Sequence, residues 1–339
     1  MTSEDLRHHG DRDTAPGMLD FAVNVWLPAP PRWLRDRLAS ALDRLATYPS
    51  DADDRTARAA VAARHGRSPD EVLVLNGSAE GFALLPNLRP RLAAIVHPSF
   101  TEPEAALRDA GVPIHRVQLD GDYALRPELV AEEADMVVIG NPTNPTSVTH
   151  PAGLLRQLAR PGRLLVVDEA FMDAVPGEPE TLSGDPDVLV FRSLTKTWAL
   201  AGLRAGYVLG PPEVLRRLAV NRPQWPVGTL VLEAVSACCS PGAVAEAAQS
   251  ARKALEYKGE FVAALRAIPG VEVVAEPSAP FVLVRVRDGR YVRETLRDQK
   301  IAVRRGETFP GLTVNHLRLA VRPPSEATRL LSAWPVEVA

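Results

Sequence analysis

Five short apolar runs without alternating polar positions set the strongest constraint on this chain. They are Val72-Leu73-Val74-Leu75, Ala93-Ala94-Ile95-Val96, Met136-Val137-Val138-Ile139, Leu164-Leu165-Val166-Val167 and Val188-Leu189-Val190-Phe191. A strand that is apolar on both faces has to be covered on both faces, the condition of a mostly parallel sheet between helix layers. Helical patterns separate the runs: one opens at Glu80 after a glycine turn, and others are expected over residues 103–110 and 153–160. Strands and helices in alternation imply a three-layer α/β/α architecture. After Pro226 the rhythm changes. Helices over 229–240, 245–268 and 291–298, with strands over 271–274, 281–286 and 317–321, describe a smaller α+β domain. The stretch Pro28-Ala29-Pro30-Pro31 separates an N-terminal arm, residues 1–27, from a large domain over 28–236 and a small domain over 237–339.

With 339 residues, 46% of them apolar, the chain can bury cores for such domains. A formal charge of −3 and a pI near 6.2 provide no electrostatic footprint for nucleic acid or an anionic membrane. No run approaches the ~20 apolar residues of a membrane span. Cys238 and Cys239 are adjacent; a disulfide between neighbours is strained and two sulfurs do not make a zinc site, so reduced thiols and no metal are expected. Reduced cysteines, and a polar N-terminus in place of an apolar signal segment, suit a cytoplasmic protein.

In open α/β sheets, ligands bind at the carboxyl ends of the strands. Lys196 follows a buried run and precedes Trp198-Ala199-Leu200. Loss of water there lowers an amine's pKa and makes it nucleophilic, although a loop lysine can equally snorkel to solvent. Asp168 ends a buried run and needs a partner, which a protonated pyridine nitrogen, a helix N-terminus or a core cation would each supply. Gly77-Ser78-Ala79 opens a helix, so its N–H groups and dipole suit a phosphate, with Ser193 and Arg204 as further donors. An ordinary helix start reads the same way, and the spacing is not that of a Walker loop. Phe100 can stack on a heteroaromatic ring or fill a core. The amide of Asn144, in a proline-bracketed loop, can donate to a ring oxygen or form a turn.

Taken in order, these segments resemble the fold-type I pyridoxal 5′-phosphate (PLP) enzymes of the aminotransferase class I/II superfamily, whose fold is aspartate aminotransferase-like. Within it they are most similar to the branch of histidinol-phosphate aminotransferases and threonine-phosphate decarboxylases. The most specific part is the run Ser193-Leu194-Thr195-Lys196-Thr197-Trp198-Ala199-Leu200-Ala201-Gly202-Leu203-Arg204-Ala205-Gly206-Tyr207. The resemblance implies PLP held as a Schiff base on Lys196, with Ser193 and Arg204 on the phosphate and Thr195 in the same cofactor-binding run. It implies Asn144 at the ring 3′-oxygen, Asp168 at the pyridine nitrogen and Phe100 stacked on the ring. Tyr48-Pro49 resembles an element whose Tyr reaches the phosphate of a neighbouring subunit, which implies a homodimer with shared active sites. Arg318 matches the arginine that binds a substrate carboxylate, with Arg322 beside it. Asn24 stands in Leu19-Asp20-Phe21-Ala22-Val23-Asn24-Val25, a segment that lines the substrate site in the family. Arg304, Arg305, His8 and His9 are candidate partners for a substrate phosphate, or else a solvated charged face. The chain departs from the pattern at Phe171, where many members have Tyr, at Ser147, where Gly is usual, and at Trp26, where the decarboxylases carry a polar residue.

Three functions follow as expectations. The first is an L-threonine O-3-phosphate decarboxylase of cobalamin biosynthesis, suggested by Asp-Glu-Ala-Phe-Met-Asp at 168–173 and by the segments 19–25 and 303–312. The alternative is an aminotransferase of the histidinol-phosphate type using the same residues. The third, a non-catalytic regulator on the same fold, lacks a basic helix-turn-helix pattern and retains Lys196.

Overall fold

The computed structural model describes residues 6–335. Strands are numbered along the chain: β1 Leu19–Phe21, β2 Val72–Leu75, β3 Ala93–His97, β4 Ile114–Gln118, β5 Met136–Gly140, β6 Leu164–Asp168, β7 Leu189–Ser193, β8 Gly206–Leu209, β9 Glu272–Val273, β10 Phe281–Arg285, β11 Ile301–Arg305 and β12 His316–Ala320. Seven of them form one sheet in the order β2-β8-β7-β6-β5-β3-β4. Pairing is parallel from β7 through β4, and only β8 runs antiparallel to its neighbours β2 and β7. The five apolar runs of the sequence lie within this sheet, and apolar side chains pack on both of its faces. That is the three-layer α/β/α arrangement expected. β4 is an edge strand with three polar residues in its five, His115, Arg116 and Gln118, and β8 opens with Gly206-Tyr207, so neither carries the continuous apolar signal of the others.

The second sheet has the order β1-β11-β12-β10-β9. Its first strand comes from the N-terminal arm: Leu19–Phe21 pairs in parallel with Ile301–Val303. Phe21 is fully buried there among Phe261, Leu265 and Leu319. The helix Thr229–Cys238 runs past residue 237, and a break precedes the long helix Pro241–Arg266. Ser240 caps that long helix by accepting from the Ala243 N–H. No single helix among the described residues is long and apolar enough to cross a membrane.

Two glycines bring the helix Ser78–Leu84 hard against the strands that carry the candidate site. A Cβ on Gly81 would stand 2.2 Å from the Phe191 ring of β7. Gly77 has φ +78°, which a side-chain-bearing residue rarely adopts. The helix start and the end of β7 therefore meet at one point. Beneath that point lies a buried charge cluster: Arg192 of β7 is in contact with Glu169, Asp173 and Glu178, and Arg64 pairs with the last two.

Candidate active site

The carboxyl ends of β6 and β7 and the loops after β3 and β5 open on a cavity of about 440 Å³, a size that suits a cofactor with a small substrate. The seven-stranded sheet and its loops contribute Ser78, Phe100, Asn144, Asp168, Ser193, Thr195, Lys196 and Arg204. The five-stranded sheet contributes Arg304 and Arg318, and the N-terminal segment contributes His9 and Asn24. Residues scattered over three hundred positions thus share one space. Its charged lining comprises Lys196, Arg204, Arg304 and Arg318 against Asp11 and Asp168, an excess of positive charge suited to anionic ligands.

Lys196 stands on the loop that follows β7, with its Nζ 5.8 Å from the centre of the Phe171 ring. Burial lowers its pKa to about 8, and the nearby Arg318 and Arg204 guanidinium groups push the same way, against the attraction of Asp168. The chain has four lysines. Lys253 and Lys300 are exposed, and Lys258 is spent on the Pro277 and Ser278 carbonyls. Only Lys196 lines the cavity. An amine with a pKa of about 8 is mostly protonated at pH 6 and mostly free base at pH 9. Attachment of an aldehyde to the cofactor-free protein should therefore accelerate as pH rises through about 8 and level off above. In Arg318→Leu the second cause is gone and the inflection should move upward. Stopped-flow absorbance after mixing with PLP measures both; a rate independent of pH would contradict the assignment.

Asp168 accepts the Ala170 N–H at 3.1 Å, and burial raises its pKa to about 6. A carboxylate desolvated in this way calls for a cation close by, which a protonated pyridine nitrogen supplies. At the other end of the cavity, Arg204 lies against Gly77: a Cβ there would be 3.1 Å from Nη2. Ser78, Ser193 and Thr195 line the cavity, whereas the expected Gly77 and Ala79 do not. The donor set fits PLP: Asp168 would meet a ring nitrogen, and Ser78, Ser193 and Arg204 are donors suited to a phosphate.

Arg318, on β12, donates to the Asn144 carboxamide oxygen at 2.6 Å and to the Ala22 carbonyl. Asn144 is left with its NH₂ to donate. The Asn144 loop is tied to the small domain at Ser147, which has φ +63° and whose carbonyl accepts from Ser278. That left-handed backbone explains why glycine is usual there. Ser147 compensates with its hydroxyl, which donates to the Ala279 carbonyl at 3.1 Å and accepts from the Ala279 N–H at 2.9 Å. Ser147→Ala should lose these bonds and keep the strain, and so be less stable than Ser147→Gly by about 1 kcal/mol in urea unfolding.

Other expected site residues lie elsewhere or are already engaged. Tyr48 is 72% exposed and stacked on Trp225 at 4.0 Å, outside its own chain's cavity. Arg322 does not line the cavity; its guanidinium donates to the carbonyls of Asp20, Val23 and Val25. Arg304 reaches the cavity but is paired with Asp13 at 3.1 Å and with the His8 carbonyl at 2.7 Å. His8 and Arg305 contact each other beside it. His9 is bonded to Glu102 and tilted over Phe100 at 5.3 Å. Sequence reasoning passed over Asp13 and Phe309, which hold Arg304 from two sides. Nothing local marks either residue, because their partner lies far away in the chain.

The family model for aminotransferase class I and II matches residues 16–333. A histidinol-phosphate aminotransferase of Mycobacterium tuberculosis is 56% identical over 335 residues, covering 98% of this chain and 89% of its own. A threonine-phosphate decarboxylase of Salmonella typhimurium is 31% identical over 93% of this chain and 90% of its own. Among solved structures, the histidinol-phosphate aminotransferase from Clostridium acetobutylicum superposes with a TM-score of 0.87 at 23% identity, over 94% of this chain and 98% of that one, a likeness of fold. These findings overturn the expectation that placed the decarboxylase, a carboxy-lyase of cobalamin biosynthesis, ahead of the aminotransferase: the decarboxylase is the more distant relative by a wide margin. The chain belongs to the aminotransferase class I and II family, and its cofactor is pyridoxal 5′-phosphate.

Proposed function

We propose that this protein is an aminotransferase that takes histidinol phosphate as its amino donor. The 56% identity to a histidinol-phosphate aminotransferase over nearly the whole chain carries the reading, and the positive cavity supports it. Bound PLP supplies an electron sink that weakens the bonds at the donor's Cα. This donor has a phosphate ester where an amino acid has its carboxylate, so the bond to break is Cα–H. Arg318 would offer charge to the phosphate, with the Asp13-paired Arg304 beside it, and would hold the carboxylate of the acceptor oxo acid in the second half of the cycle. Lys196 Nζ is the group that would take the proton from the donor's Cα and give it back later in the cycle, a role helped by a pKa lowered to about 8. Asp168 would pair with the protonated ring nitrogen, while Ser78, Ser193 and Arg204 would hold the phosphate end.

The same reading assigns residues 28–236 to cofactor binding and 237–339 to closing the substrate side. It takes the protein as a cytoplasmic homodimer in which Tyr48 reaches the partner's cofactor phosphate; the exposure of Tyr48 beside Trp225 supports this. The test is incubation with histidinol phosphate and 2-oxoglutarate. Glutamate and the corresponding ketone should form in equal amounts. No glutamate, or CO₂ released from threonine phosphate in its place, would sink the proposal.

A further inference from the structure

Every polar contact around residues 20–26 points to a segment held in place for a purpose. Arg322 Nε donates to the Asp20 carbonyl at 2.8 Å, Nη1 to Val25 at 2.8 Å and Nη2 to Val23 at 2.6 Å. Arg318 takes the Ala22 carbonyl. The Asp20 carboxylate accepts the N–H groups of Ala22 and Val23. The Trp26 N–H donates to the carbonyl of Lys196 itself at 3.1 Å. The backbone is thus fixed from the small domain at one end and from the reactive lysine at the other. What this fixed backbone carries is Asn24. It lines the cavity, is 7% exposed, and neither its Oδ1 nor its Nδ2 has a hydrogen-bond partner in the protein. A buried carboxamide with both ends unpaired costs free energy unless a ligand satisfies it.

We propose that Arg322 is a positioning residue: it holds the 20–25 backbone so that the Asn24 carboxamide meets the polar part of the amino donor and helps select it. The inference rests on the aminotransferase reading and deepens it. A planar fork with three donors matches three carbonyls in fixed directions, and a lysine ammonium on a flexible stem does not reproduce that geometry. Arg322 does not line the cavity of about 440 Å³ and its guanidinium is engaged by three carbonyls, so it acts through the backbone that carries Asn24.

The test is a double-mutant cycle on the holoenzyme. Arg322→Lys and Asn24→Ala should each raise KM for histidinol phosphate about tenfold, the worth of one hydrogen bond, with a much smaller change in kcat. The double variant should be no worse than either single, because both changes remove the same contact. The visible absorbance of bound PLP should persist in all three. Additive losses in the double variant, or an unchanged KM in Arg322→Lys, would overturn the proposal. If Arg322→Lys does not fold, Asp20→Ala, which releases the Ala22 and Val23 N–H groups, replaces it in the same cycle with the same expected outcome. If the wild type ignores histidinol phosphate, the proposed donor fails but the cycle is read with L-glutamate and still decides on Arg322. A wild type that accepts neither donor overturns both readings.

Discussion

Lys196→Ala should purify as a folded protein without the visible absorbance band of the wild type, and its turnover should fall by about four orders of magnitude or more. Two roles are lost together: the amine that attaches the cofactor and the base that moves the proton between Cα and C4′. The loss has no substitute within the cavity, because the other lysines are exposed or bonded to backbone carbonyls. Stability should change little, since Lys196 is held at its position with its pKa already lowered by burial and by two arginines. Absorbance after dialysis against PLP and a transamination assay measure the two effects, and circular dichroism checks the fold. A colourless variant that kept a tenth of wild-type turnover would remove Lys196 from the chemistry.

Arg192→Met should cost about 3–5 kcal/mol of stability, because it leaves buried carboxylates without their cation. The guanidinium is almost fully buried: Nε stands 3.0 Å from Glu169, Nη1 is on Asp173, and Nη2 is on Glu178 and donates to Thr181 at 2.9 Å. Arg64 can still serve Asp173 and Glu178, so the uncompensated charge falls on Glu169. Burial already raises the Glu169 pKa, and the attraction of Arg192 works against that rise. Adding Glu169→Gln should recover part of the loss, while Glu169→Gln alone should leave the arginine partly unpaired. Urea unfolding at neutral pH measures the series. A loss below about 1 kcal/mol for Arg192→Met would mean that the cluster behaves like solvated surface charge.

The parts legible in the sequence were those whose chemistry is contiguous. Lys196, Ser193 and Arg204 share one run, and Asp168 closes an apolar strand, so strand ends and motif order alone bring them together. The parallel sheet was legible for a similar reason, since continuous apolar runs have few other uses. What escaped depends on partners remote in the chain. Arg322 and Arg304 look like free cations in sequence, yet one is spent on backbone carbonyls three hundred residues away and the other on Asp13. β1 is a three-residue strand that exists only because β11 offers it an edge. Ser147 was visible as a departure from glycine, but its cure, a hydroxyl bonded on both sides to Ala279, was not. The choice between decarboxylation and amino transfer was hardest of all, since it turns on which bond at Cα is presented to the ring and not on which residues are present.

The most direct test of the account is to reduce the yellow holoenzyme with borohydride, digest it and map the phosphopyridoxyl label by mass spectrometry, before and after incubation with histidinol phosphate alone. The account predicts one labelled peptide, modified at Lys196, and loss of that label when the donor has converted the cofactor to its amine form, with return of the label after 2-oxoglutarate is added. A label on Lys253, Lys258 or Lys300, or a label at Lys196 that the donor never removes, would contradict it.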